Sequence, residues 1–135
     1  MRRPIGMPLV LLGGLLLVVA TGCGYSGYER YVPPEQAARQ ALETALTAWQ
    51  NGQPPDEVAA GPPVIRAVDS KWKSGQKLSN FQILSEEPGP SGPTFFSVRL
   101  TLKSPAKEQT VRYVVVGRDP LWVYREDDFQ SGAGM

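Results

Sequence analysis

Residues 34–52 read PEQAARQALETALTAWQNG, and this stretch decides the fold class. Ala37, Ala38, Ala41, Leu42, Ala45, Leu46, Ala48 and Trp49 recur at helical spacing. Ala38, Leu42, Ala45, Leu46 and Trp49 fall on one stripe, with Arg39, Gln40, Glu43 and Thr47 mostly opposite. Pro34 suits a first turn, where its missing N–H removes no bond, and Glu35 stands at the positive end of the helix dipole. Asn51-Gly52 is a stop signal, because glycine reaches the left-handed cap conformation. The stripe is mostly alanine, so the helix can lie close against another layer. A helix with one apolar stripe must bury it, and the residues that follow supply strands.

Among them, Phe95–Lys103 has a period of two. Phe96, Val98, Leu100 and Leu102 point inward, and Arg99, Thr101 and Lys103 point outward. Val111–Gly117 is apolar on both faces apart from Arg112, which marks a central strand. Leu78–Ser85 places Phe81 and Ile83 on one face. Leu121–Arg125 is a last strand, led by a Gly117-Arg118-Asp119-Pro120 turn. Val64–Val68 reads as a short strand and Asp69–Gly75 as a turn region or bulged strand. The Pro/Gly-rich segment Gln53–Pro63 reads as a loop. Glu86–Thr94 and Ser104–Gln109 read as polar hairpin loops, and Glu126-Asp127-Asp128 as a solvated strand end. The expectation is α+β: one N-terminal amphipathic helix packed on a curved four- to five-stranded antiparallel sheet. It spans residues 34–128, with 129–135 as a flexible Gly/Ser tail.

Length and composition agree with one domain. The chain has 135 residues, 41% of them hydrophobic and 20% charged, the balance of a globular chain. Fourteen basic side chains face 13 acidic ones, for a formal charge of +1, without the excess of a nucleic-acid footprint. The absence of histidine removes Ser-His-Asp and Cys-His catalysis and the imidazole metal ligands. The single cysteine cannot form an internal disulfide.

The N-terminus, MRRPIGMPLVLLGGLLLVVATGC, has the layout of a targeting segment. Arg2 and Arg3 precede an apolar run from Leu9 to Ala20. At about 1.5 Å per residue the run spans roughly 18 Å as a helix, short of the roughly 30 Å hydrocarbon core. That length favours a signal peptide over a permanent span. Ala20-Thr21-Gly22-Cys23 resembles the lipobox of bacterial lipoproteins, in which small residues precede an invariant cysteine. Ala20 stands where that family most often has leucine. The resemblance implies a diacylglyceryl group on Cys23, cleavage after Gly22 and acylation of the new N-terminus. Two or more acyl chains hold a protein stably at a bilayer.

The expected organisation is a signal peptide over 1–22 and a lipid-anchored tether over 23–33, ahead of the domain. Loss of residues 1–22 leaves 113 residues, with 12 basic side chains against 13 acidic. The exported part is near neutral, so its net charge gives no reason to seek anionic lipid or DNA. The tether carries Tyr25, Tyr28 and Tyr31 at every third position. They fit either rings at the lipid headgroup level or a mobile linker whose last tyrosine packs on the domain.

The layout of helix and strands is similar to the cystatin-like and nuclear-transport-factor-two-like superfamily, in architecture and without a diagnostic motif. The wording around Trp49–Gly52, Trp72–Leu78 and Gly117–Val123 also resembles short uncharacterised lipoproteins of planctomycete-type bacteria, which implies no known activity.

Enzymes of the nuclear-transport-factor-two-like group place acids, bases and tyrosines in a conical pocket. Asp69, Glu86, Glu87 and Asp119 are the acids available for such a role, but no two of them fall together on one expected face. The run Glu126–Asp128 lacks the shaped, glycine-containing loop that calcium needs, and Arg118 or Arg125 could pair with it at the surface. No catalytic residue, metal site or cofactor is therefore expected. Among the aromatics, Trp49 belongs to the helix stripe and to the core. Trp72, flanked by Lys71 and Lys73, and the pair Trp122 and Tyr124 on one face of the last strand are the candidates for a binding surface; the alternative for each is core packing. The reading is a membrane-anchored cell-envelope lipoprotein on the exported side, with a non-catalytic binding or accessory domain and an envelope protein as candidate partner. The alternatives are a small-ligand pocket protein or enzyme, and a structural subunit of an envelope complex.

Overall fold

The computed structural model describes residues 32–88 and 92–132. The signal segment 1–22, Cys23 and the tether as far as residue 31 lie outside the described residues, as do 89–91 of the hairpin loop and 133–135 of the tail. The elements are α1 (Glu35–Gln50), β1 (Asp56–Ala59), β2 (Ile65–Val68), α2 (Ser70–Lys73), β3 (Leu78–Pro88), β4 (Thr94–Leu102), β5 (Lys107–Gly117), β6 (Leu121–Arg125) and α3 (Glu126–Gln130).

The strands form one open sheet in the order β1-β2-β6-β5-β4-β3. All neighbours are antiparallel except β2 and β6, which run parallel. The α+β class holds, with α1 packed on one face of a mostly antiparallel sheet. That shared face carries Phe96, Val98, Leu100 and Leu102 of β4, Tyr113 and Val115 of β5, and Leu121 and Val123 of β6. Against them α1 buries Ala38, Ala41, Leu42, Ala45, Leu46 and Trp49. The period of two expected in β4 is therefore the burial pattern observed. β5 is central, with Val114 and Val115 both buried.

Four expectations need correction. The sheet has six strands among the described residues, because β1 lies inside the segment read as a loop. Its prolines flank the strand at 54–55 and 62–63 instead of interrupting it, and Arg66 of β2 holds both Asp56 and Glu57. β2 and β6 pair in parallel because their first residues are tied together. Leu121 donates its N–H to the Val64 carbonyl at 2.8 Å, and Val64 donates to Asp119 Oδ1 at 2.9 Å. Asp69–Gly75 is neither a turn nor a bulged strand: Asp69 accepts the Lys71 and Trp72 backbone N–H groups as an N-cap and starts α2. Glu126–Asp128 is the first turn of α3, where carboxylates meet the positive end of the dipole. Phe129 and Gln130 complete that helix instead of fraying, and the Phe129 ring lies 5.3 Å from that of Tyr124.

The registers give the domain two ends. Val32, the start of α1, Pro88, Thr94, Gly117 and Leu121 share one end. Trp49, α2, Leu78, the β4–β5 turn and Arg125 share the other. Val32 fixes the point where the N-terminal segment joins: its carbonyl accepts from Arg118 at 3.4 Å and its side chain lies against Gly92.

Candidate functional site

Asp69 ends the apolar strand β2, and the cap that it makes turns its carboxylate into the protein. There Oδ1 accepts the Lys71 and Trp72 N–H groups at 3.0 and 3.1 Å and Nε of Arg125 at 2.8 Å. Oδ2 accepts the Tyr113 hydroxyl at 2.6 Å. Asp69 and Arg125 are each 4% exposed, so this is a buried ion pair joining β2, α2, β5 and β6. Burial pushes the Tyr113 hydroxyl well above the usual tyrosine range, and the Asp69 charge and hydrogen bond push it further. Burial pulls Arg125 down, but Tyr113 and Asp69 outweigh it and hold the guanidinium above its ordinary value.

Beneath α2, Trp72 stacks on Trp49 with ring centroids 5.4 Å apart. Trp72 Nε1 donates to the Gln53 carbonyl at 2.8 Å, and Trp49 Nε1 donates to the Gln76 carbonyl at 2.7 Å. Trp72 is thus largely packed inside at 5% exposure. Its lysine neighbours face solvent while the indole turns inward. Trp122 and Tyr124 do share a face, the one turned away from α1, stacked at 6.1 Å. Tyr124 is covered by Phe129 and buried; Trp122 is half-buried, with the Arg66 guanidinium 5.8 Å above its ring. Burial raises the Tyr124 hydroxyl above its usual range.

The acids considered for catalysis go to separate places. Asp69 is in the buried pair, Asp119 caps the start of β2, Glu87 reaches Arg112 at 3.4 Å and Glu86 reaches Arg39 at 3.0 Å. Glu86 also lies beside Glu35. The Glu86 hydrogen bond and charge raise the Glu35 carboxyl above its ordinary 4.5. Glu86 Oε1 is buried without a donor among the described residues. The described residues hold no cluster of three or more acids with metal-binding spacing. Arg125 is in the buried pair and not a surface partner for the acidic run.

The end that carries α2 has a second character. Lys71 and Lys73 lie on α2, and Lys77 follows it. The Lys77 carbonyl accepts the Lys103 N–H at 3.1 Å, and Lys107 pairs with Leu102 across the β4–β5 turn. Lys73 and Lys77 flank an open cleft of about 210 Å³ floored by Trp49, Trp72, Pro54 and Pro55. Lys71 and Arg112 line a neighbouring cavity of about 420 Å³ with Arg125, whose Nη2 is buried and unpartnered among the described residues; Glu126 and Asp127 line it too. Comparison with known protein families, with curated proteins and with solved structures finds no match to this chain.

Proposed function

We propose that the protein is exported and lipid-anchored, and that its α+β domain is a non-catalytic binding or accessory module of the cell envelope. The observation that carries this reading is Ala20-Thr21-Gly22-Cys23 at the end of the Leu9–Ala20 apolar run. A thiolate is the nucleophile that accepts the diacylglyceryl group, and small side chains admit the backbone to the peptidase. The position of Val32 supports the reading. Only nine residues separate it from Cys23, which limits the domain to about 30 Å from the anchor at roughly 3.3–3.6 Å per extended residue. The end with Val32, Gly92 and Arg118 is then the one joined to the anchor, and the lysine-bearing end is the remote one.

A filled core beneath α1 and clefts that open to solvent favour a binding module over an enclosed small-ligand pocket. The test is fatty-acid labelling of the wild-type protein and Cys23→Ser, with detergent-phase partitioning. Label and detergent partitioning are expected for the wild type and neither for the variant. Equal label on both would refute the anchor at Cys23.

A further inference from the structure

We propose that the end of the domain remote from Val32 is a docking surface for an anionic polysaccharide, held by Lys71, Lys73, Lys77, Lys103 and Lys107. These are all the lysines of the chain, and every one is exposed. None of their ammonium groups joins an ion pair among the described residues, whereas Arg39, Arg66, Arg112 and Arg125 each pair with a carboxylate. The two kinds of cation are thus divided by task. Arginine forks hold internal pairs, and free lysines collect at one end as mobile, hydrated point charges. Of the carboxylates there, Asp69 is buried against Arg125, Asp56 is held by Arg66 and Glu126 lies 3.7 Å from Arg112. Glu108, Asp127 and Asp128 remain against the five lysines, Asp128 accepting the Ser70 N–H at 2.8 Å.

The chemistry of the surface narrows the ligand. The exposed large hydrophobic side chain among the described residues is Leu84, midway along β3 and not at this end. A protein partner would look for an apolar anchor and a membrane for an insertable apolar edge. The lysines instead ring polar neighbours, Ser74, Gln76 and Ser104, and an open cleft walled by Lys73 and Lys77 over proline and indole edges. Such a cleft suits a sugar ring flanked by negative groups, and repeated charges along a chain suit dispersed lysines. The choice of a polysaccharide over other polyanions rests on the exported location proposed above.

Full-length protein in detergent is tested on immobilised polygalacturonate, with neutral dextran, polyglutamate and phosphatidylglycerol vesicles as the other arms. The wild type is expected to bind polygalacturonate and not dextran, with affinity falling about tenfold or more between about 50 and 200 mM salt. The triple variant Lys73→Glu, Lys77→Glu, Lys103→Glu should lose binding at least about tenfold, while Arg99→Glu, midway along β4, changes it less than about threefold. Circular dichroism confirms that the variants fold. Absence of salt-sensitive binding, equal loss in Arg99→Glu, or preference for polyglutamate or vesicles would overturn the proposal. If intact mass shows no lipid on Cys23 while the lysine-dependent binding persists, the anchoring reading fails and the surface stands.

Discussion

Asp69 accepts four hydrogen bonds, two from α2, one from β5 and one from β6, so its removal strands several donors at once. Asp69→Ala is expected to lower stability by about 3–5 kcal/mol, because it leaves the Arg125 guanidinium buried without its counter-charge. The double variant Asp69→Ala, Arg125→Met should recover part of that loss, since an apolar replacement has no charge to bury. Urea unfolding measures both, and a single-variant loss below about 1 kcal/mol would show that Arg125 reaches water unaided. Arg125 was expected at the surface, although the alternation that turns Leu121 and Val123 inward turns Arg125 inward with them. Nothing in the sequence showed that the partner would be Asp69, 56 positions earlier. At the other end, Glu35 gives a pH signature. Its carboxyl is raised by Glu86, so the folded state holds the proton more tightly than the unfolded chain. The stabilisation is complete below the ordinary 4.5 and is lost as pH rises through the raised value. The melting temperature of Glu35→Gln relative to wild type should therefore climb as pH rises from the ordinary 4.5 through the raised value and then level off. A flat difference across that range would contradict the pairing.

At the scale of elements, legibility followed length and period. α1 and β4 carry enough turns or alternations for the stripe to show, and both lie where the pattern puts them. β1 and α2 have four residues each, too few for a period; β1 depends on the tertiary pairs with Arg66, and α2 on the Asp69 cap, a local signal that acts two and three residues ahead and carries no periodicity. The direction of β2 against β6 is likewise set by contacts at Val64, Asp119 and Leu121, which a local pattern does not contain. The β5–β6 turn offers a test at this scale. Gly117 has φ +90°, and a Cβ there would meet the Pro120 carbonyl oxygen at 2.6 Å. Gly117→Ala should cost about 1–3 kcal/mol through the left-handed backbone and this clash. Thermal unfolding that leaves the variant as stable as wild type would show that the turn relaxes freely.

For the whole molecule, composition hid what the fold reveals. A chain with 14 basic and 13 acidic side chains has almost no net charge, yet its lysines gather at one end and Val32 leads in at the other. Segregation of this kind depends on strand direction and hairpin order, which net charge averages away. Of the aromatic candidates, Trp72 and Tyr124 are buried and Trp122 is half-covered, while Lys71 and Lys73 beside Trp72 are exposed. The anchor proposed at Cys23 would join the domain at the Val32 end, opposite the lysines, and that arrangement depends on Cys23. Intact-mass measurement of the protein isolated from its native membranes tests this most directly. The account predicts a chain that begins at Cys23 and carries diacylglyceryl and acyl groups. A chain that begins elsewhere, retains residues 1–22 or bears an unmodified cysteine would contradict it.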